Sequence, residues 1–191
     1  MKTISLCASI CCPEEDDYID TTFFIDNDEI INIDNNQNEF NVGEYIYIET
    51  NITNEQITED NEVIILSNYD YAEVGKSQYS YSLSLNKQTE YGTSVKIPIT
   101  FEYIDIVEGN TDINEDYFSS DIRIDSYFDG DNYKSLIGIK LLEAGNYFIS
   151  GSYNNIESIY ANGGIYEKAN VVIRSKIVNS NENGLYEFTV N

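Results

Sequence analysis

Side chains that could do covalent chemistry are few in this sequence and unevenly placed. The only thiols belong to Cys7, Cys11 and Cys12, and the 191 residues include no His and no Trp. Without His, neither Ser/His/Asp nor Cys/His nucleophile systems can form, nor can zinc sites that use imidazole. Without a thiol after residue 12, the body of the chain has no disulfide, CxxC redox motif or four-cysteine zinc site.

Carboxylates are the remaining side chains that could support catalysis. Glycoside hydrolases place two Asp or Glu residues across the scissile bond, so a carboxylate-dependent glycoside hydrolase is the one enzyme class to consider. Glu102 and Asp105 lie in a run of strand-like sequence, where an acid is more simply a solvent-facing residue. We therefore predict a non-enzymatic protein with no catalytic residues.

Acidic loops also raise the question of calcium, which binds several carboxylate and carbonyl oxygens on a flexible loop. Neither candidate loop has the full pattern of an EF-hand, and such clusters arise by chance in a chain with 34 Asp and Glu residues. We predict no metal cofactor, with calcium as the alternative. The two loops carry Asp112, Asn114 and Asp116, and Asp125, Asp129 and Asp131.

The charge balance narrows the choice of partners. Thirty-four acidic residues against ten Lys and Arg give a formal net charge of −24. Phosphate backbones and anionic lipid headgroups attract proteins through Lys and Arg, so nucleic acid and a bare anionic membrane are excluded as partners. A field this negative favours basic partners and solubility.

The first twelve residues have the pattern of a short export signal. Met1-Lys2 gives a positive start, and an apolar run from Thr3 to Ile10 leads into Cys11 and Cys12. The run is far too short for a transmembrane helix, which needs about 20 residues. An acidic stretch follows at once, Pro13-Glu14-Glu15-Asp16-Asp17.

Cys12 with acids directly after it resembles the surface lipoproteins of the Bacteroidota. In that family an acylated Cys becomes the mature N-terminus, and the acids direct the protein to the outer face. The resemblance implies a lipid on Cys12, or on Cys11, and a place in the cell-surface leaflet of the outer membrane, with the lipid as the only membrane contact. A lipobox has a small residue before its Cys, whereas Ile10 precedes Cys11 and Cys11 precedes Cys12. The alternative is an acidic tail with incidental thiols.

Domain boundaries follow from the same segments. Residues 1–12 are expected to be the remnant of a lipoprotein signal, 13–20 an acidic tether and 21–191 a single elaborated β-sandwich domain. At their junction, Asp20-Thr21-Thr22 resembles the O-glycosylation motif of the Bacteroidota, which implies a sugar on Thr21. The alternative is an ordinary Thr at the start of the first strand.

The body of the chain alternates apolar and polar residues with a period of two. In Tyr79-Ser80-Tyr81-Ser82-Leu83-Ser84-Leu85 every large side chain points one way and every serine the other. Similar runs separated by Asn, Asp and Gly clusters predict an all-β, antiparallel β-sandwich of about nine or ten strands. We expect Asn162-Gly163-Gly164 to form a turn and the acidic stretch from Gly109 to Asp121 to form a long loop.

The most specific structural motif is Glu143-Ala144-Gly145-Asn146-Tyr147. It resembles the tyrosine corner of immunoglobulin-like domains, with Glu143, Gly145 and Tyr147 at the matching positions and Ile149 in place of the strand F Cys. The resemblance implies an immunoglobulin-like sandwich without a core disulfide.

Tyrosines supply the candidate contact surface. Tyr offers a rigid plate with a polar tip, which suits protein and sugar partners. If Ile46 and Ile48 face inward, Tyr45 and Tyr47 must face outward, and they could join Tyr69 and Tyr71 from a neighbouring strand. The simpler interpretation is that Tyr favours half-exposed strands in general.

Two functions remain open after these exclusions. The first is a surface-anchored lipoprotein that acts as a non-catalytic accessory subunit, or protein-binding module, of an outer-membrane protein complex. The second is a free-standing adhesin or module that binds a surface glycan. The carboxylate-dependent glycoside hydrolase is a distant third.

Overall fold

The computed structural model of the protein describes residues 21–69, 78–113, 121–151, 158–165 and 169–191. These residues form strands and three short 3-10 turns, and no α-helix occurs among them, which confirms the all-β prediction. The described strands are β1 Thr22–Asp26, β2 Ile31–Ile33, β3 Glu39–Phe40, β4 Tyr45–Thr53, β5 Glu55–Ile57, β6 Val63–Ile65, β7 Gln78–Gln88, β8 Ser94–Lys96, β9 Ile104–Glu108, β10 Asn110–Ile113, β11 Asp121–Phe128, β12 Asn132–Lys140, β13 Gly145–Gly151, β14 Ile159–Ile165, β15 Ala169–Ser175 and β16 Tyr186–Val190.

The described strands outnumber the predicted nine or ten because several are too short to show a period in the sequence. Strands β2, β3, β5, β6 and β8 have two or three residues each. The 3-10 turns Asp34–Asn36, Leu66–Asn68 and Phe101–Tyr103 interrupt other runs. The last of them separates β8 from β9 within an apolar stretch that has the pattern of one continuous strand.

Most strands belong to one continuous sheet that curls into two facing layers. Its main path runs β1-β15-β14-β7-β11-β12-β4-β2, and β13, β16 and β3 extend it from β7. The layer with β4 and β12 faces the layer with β7 and β11. Two contacts cross the interior: the Thr50 and Tyr81 hydroxyls lie 2.5 Å apart, and the rings of Tyr79 and Tyr133 are 4.8 Å apart. This is a sandwich-type all-β fold.

The two layers separate at the hairpin between β11 and β12. These strands pair only at Tyr127↔Lys134 and Phe128↔Tyr133, beside the turn. Beyond that point β10 pairs with β11 and β9 pairs with β12, so the chain from β9 to β10 turns at Gly109 inside the open hairpin. The prediction of a long loop from Gly109 to Asp121 is therefore partly wrong, because β10 occupies Asn110–Ile113.

The core follows the period-two pattern. Tyr79, Tyr81, Leu83 and Leu85 of β7 are all buried, and Ile46, Ile48 and Ile52 of β4 are fully buried opposite them. The interior holds aliphatic residues for the most part, with a few hydroxyls between the layers.

The predicted turn at Asn162-Gly163-Gly164 is wrong, because β14 continues through it. Gly163 lies against the ring of Tyr79 on the adjacent strand, and a Cβ at Gly163 would come within 2.8 Å of Tyr79 Cε1. A glycine is needed here because the ring of Tyr79 packs directly against the backbone, and not because the chain turns.

Candidate functional site

Tyr45 and Tyr47 lie side by side on the outer face of β4. Both are half-buried, while Ile46 and Ile48 between and beside them are completely buried on the inner face. The two rings stack with centroids 6.0 Å apart and an interplanar angle of 30°. The strand therefore presents two stacked phenol rings to the outer surface; we call them the tyrosine pair.

Tyr47 is held in place by contacts with β12 and β9, the next two strands of its layer. Its ring lies across Gly138 of β12, where a Cβ would stand 2.7 Å from Tyr47 Cε1. Its hydroxyl donates a hydrogen bond to Asp105 Oδ2 of β9 at 2.7 Å. That bond to a carboxylate, with a smaller effect of burial, raises the pKa of Tyr47 above that of a free tyrosine. The phenol stays neutral and keeps donating over the physiological pH range.

Tyr45 has a cationic neighbour. Lys140 Nζ of β12 lies 5.9 Å from the centre of the Tyr45 ring, within the range of a cation–π contact. The tyrosine pair is thus flanked by a carboxylate at Tyr47 and an ammonium group at Tyr45. Such a surface offers flat apolar ring faces together with a hydrogen-bond acceptor, the carboxylate, and a hydrogen-bond donor, the ammonium group.

Of the other two predicted contact tyrosines, Tyr69 packs elsewhere and does not join this pair. The ring of Tyr69 packs edge-on against Phe23 of β1, with centroids 5.1 Å apart, at the margin of the core. Tyr71 lies outside the described residues.

An apolar groove of about 230 Å³ lies at one end of the sandwich, next to the tyrosine corner. One wall comes from the chain between β8 and β9, and the other from the end of β12 and the residues after it. The groove has an exposed apolar margin, since Leu142 in its wall is 48% exposed. The groove is lined by residues that include Ile97, Ile99, Tyr103, Ile139, Leu141 and Leu142.

The residues predicted to form a tyrosine corner, Glu143 and Tyr147, lie beside the groove. The Tyr147 hydroxyl donates a hydrogen bond of 2.8 Å to the Glu143 carbonyl oxygen, four residues upstream. The Tyr147 ring stacks on Phe188 with centroids 5.6 Å apart, and Lys87 Nζ lies 5.5 Å from its centre. Lys87 also forms a 2.8 Å ion pair with Glu143, which lowers the pKa of that carboxyl. The wall of the groove is therefore fixed by several contacts.

Two of the three acidic side chains in the second loop considered for calcium, those of Asp125 and Asp129, accept hydrogen bonds from protein donors. The Asp129 carboxylate accepts backbone N–H groups of Asp131 and Asn132, each at 2.9 Å, and contacts Lys134 Nζ at 2.7 Å. Asp125 accepts from Ser80 and Arg123. Among the residues described, no group of three or more His, Cys, Asp or Glu is placed to hold a metal ion. Asn114 and Asp116 of the first loop fall outside them.

The modification sites are only partly within the structure. Cys11 and Cys12 lie outside the described residues. Thr21 is exposed, and its carbonyl oxygen accepts the Asn170 N–H at 2.9 Å, just before β1 pairs with β15. In the described ranges, no helix is long and apolar enough to cross a membrane.

Sequence reasoning did not find the groove, nor the roles of Gly138 and Asp105. A signal for Gly138 is present, since a glycine between Ile137 and Ile139 inside a strand indicates a close approach of some kind. The residue that packs on Gly138 is Tyr47, which lies far earlier in the chain, and nothing in the sequence around Tyr47 indicates this contact. The groove is formed by irregular chain, whose course has no periodic pattern to follow.

No protein-family model matches the chain, and no curated protein matches its sequence significantly.

Proposed function

We propose that this chain is a non-catalytic binding module, held at the bacterial surface by a lipid on Cys12 or Cys11, that serves as an accessory subunit of an outer-membrane protein complex. The observation that carries the proposal is the apolar groove at the tyrosine corner with its exposed apolar margin. Open apolar surface flanked by polar residues is typical of protein contacts. The wall that carries Glu143 and Tyr147 is held by hydrogen-bond, stacking and ion-pair contacts, so a partner side chain would meet a preformed wall on that side.

An immunoglobulin-like topology is part of the proposal. The hydrogen bond from Tyr147 to the Glu143 carbonyl is the bond that a tyrosine corner makes. The buried Ile149 two residues later stands where antibody domains have a Cys. These features support an immunoglobulin-like relative without the disulfide.

The anchor and the partner can be tested together. We would express the protein natively with a C-terminal tag, extract it in mild detergent, and determine by mass spectrometry its N-terminus and the proteins that copurify. An acylated Cys and stoichiometric outer-membrane proteins are expected. A solitary protein with unmodified cysteines would contradict both the anchor and the accessory role.

The dependence on the groove requires its own variant. Leu142→Glu places a charge in the groove wall at a position that is already half exposed, so the fold should tolerate it. We expect partner recovery to fall at least about tenfold, because an unpaired charge at a buried contact costs several kcal/mol. Val63→Glu, at an exposed apolar position of β6, is the matched control and should leave recovery unchanged.

The tyrosine pair favours glycan binding as a second candidate. Two stacked half-exposed rings beside a carboxylate and an ammonium group can stack on sugar rings and bond their hydroxyls. The double variant Tyr45→Ala/Tyr47→Ala should abolish binding on a glycan array, while Tyr91→Ala, at a tyrosine that is 91% exposed, should not. An array with no signal for the unaltered protein would exclude this candidate.

A further inference from the structure

Strand β9 ends the layer that carries the tyrosine pair. It pairs with β12 along one edge, and within the described ranges no strand or backbone hydrogen bond joins its other edge. Its side chains are open to solvent as well: Ile106 is 45% exposed and Val107 is 58% exposed. An exposed edge with apolar residues is a template for a further strand, which natural proteins usually cover or interrupt.

The pleat of β9 specifies what a further strand would meet. Asp105 pairs with Gly138 and Glu108 with Leu136, and the register shift between Leu136 and Ile137, which leaves Val107 unpaired with β12, brings both carboxylates to the outer face as one outer row. Ile104 and Ile106 form the inner row, opposite the inward-facing side chains of β12. An added strand would have one row of side chains beside acids and the other row beside isoleucines.

The inner row leads directly into the groove. Tyr103, the residue before β9, lines the groove, and so does Ile139, the pairing partner of Ile104. An apolar side chain on a strand along β9 would therefore reach the groove at the start of β9. The start of the β9 edge therefore lies next to the groove.

We infer that β9 accepts an extended segment of a partner protein as an additional strand, and that this segment alternates basic and apolar residues. This rests on the proposed protein-binding function and assigns its mode. Main-chain bonds to the free edge supply affinity, basic side chains pair with Asp105 and Glu108, and apolar ones cover Ile104, Ile106 and the groove.

A second copy of this chain fits the edge poorly. Each copy has a net charge of −24, which opposes self-association. An antiparallel pair of β9 strands centred on Ile106 would also set Asp105 against Val107 and Glu108 against Ile104, so acids would meet apolar residues. Charge complementarity instead selects a basic partner.

The test uses the whole protein and a fluorescent, end-blocked heptapeptide of alternating lysine and valine. The control peptide has the same sequence with every backbone amide N-methylated, which keeps charge and side chains but removes the donors. We expect binding of the first peptide to slow amide hydrogen exchange at Ile104–Glu108. The methylated peptide should bind with a dissociation constant at least about tenfold larger, as expected for the loss of two or more hydrogen bonds.

A pair of charge variants locates the site. Glu108→Lys should weaken peptide binding roughly three- to tenfold, whereas Glu90→Lys makes the same charge change at an exposed turn residue and should have a smaller effect. Equal binding of both peptides, equal effects of both variants, or absence of protection at β9 would overturn strand addition and show general electrostatic attraction instead.

The same variants separate this inference from the function on which it rests. If outer-membrane partners copurify and their recovery is unchanged by Glu108→Lys, the accessory role stands and strand addition at β9 fails. If no partner copurifies but the alternating peptide protects β9, the edge is a strand acceptor and the outer-membrane assembly is wrong.

Discussion

The hydroxyl of Tyr47 donates to Asp105 across an intervening strand, with 2.7 Å between the two oxygens. The bond links β4 to β9 over β12, and Gly138 is the residue of β12 that leaves room for the ring to lie flat. This contact orients the tyrosine pair and also fixes the outer row of the free edge.

Gly138→Ala should disrupt the tyrosine pair. The new methyl group would lie 2.7 Å from Tyr47 Cε1, closer than side-chain carbons approach one another, so the ring must move off β12. We expect a loss of about 1–3 kcal/mol in the free energy of unfolding, measured by urea denaturation. In the double variant Tyr47→Ala/Gly138→Ala the added cost of Gly138→Ala should nearly vanish, and an unchanged cost would place its origin elsewhere.

Tyr81→Phe should destabilise the core although it removes only one oxygen. The Tyr81 hydroxyl is buried 2.5 Å from Thr50 Oγ1, and burial raises the pKa of Tyr81, so the group stays protonated. Without it, the buried Thr50 hydroxyl loses a partner, which costs about 1–3 kcal/mol. Tyr81→Phe/Thr50→Val should recover part of that loss in the same denaturation experiment; further destabilisation would contradict the pairing.

Tyr147→Phe tests the tyrosine corner. Removal of the hydroxyl breaks the bond to the Glu143 carbonyl but retains the stacking on Phe188. The expected loss is about 0.5–1.5 kcal/mol in the free energy of unfolding. Tyr91→Phe removes the same atom from an exposed ring and should change stability by much less. Equal effects would mean that the corner contributes nothing specific.

Acid titration should show a carboxyl group that stays ionised unusually far into the acid range. Backbone N–H groups, above all that of Asn132, and Lys134 lower the pKa of Asp129 from its usual 3.8. A lowered pKa in the folded state adds stability above the unfolded pKa, and that stability is lost as pH falls through the folded pKa.

NMR titration of the Asp129 carboxyl carbon should therefore give a midpoint well below 3.8. Asp129→Asn should also flatten the decline of stability as pH falls below about 4, since it removes the titrating group. Asp131→Asn changes the same charge in the same turn without removing the carboxylate that accepts these bonds, and it serves as the control.

Deletion of residues 185–191 should prevent folding. Strand β16 pairs with β13 on one side and β3 on the other, and buries Tyr186, Phe188 and Val190. Their loss would uncover the face of β13 that carries Tyr147. We expect an insoluble product; a soluble chain ending at Gly184 with native circular dichroism would contradict the central place of β16.

The fold class and the inward faces of the long strands follow from local patterns in the sequence. The alternation in Tyr79–Leu85 and Tyr45–Ile48 is a local property, because successive side chains of a strand point to opposite faces whatever the strand pairs with. The tyrosine-corner contact between Glu143 and Tyr147 is equally local, since the two residues are four positions apart. Composition alone bounds the chemistry, because the chain has no His and has no Cys after residue 12.

The tertiary structure decides which residues from distant parts of the sequence come into contact. The bond between Tyr47 and Asp105 spans 58 positions, and the roles of Gly138 and Gly163 depend on rings from distant strands. The edge of β9 that no described strand covers results from how the hairpin of β11 and β12 opens, and the groove results from irregular chain near that hairpin. Strand pairing over long separations is selected by packing of the whole core, which no local pattern encodes.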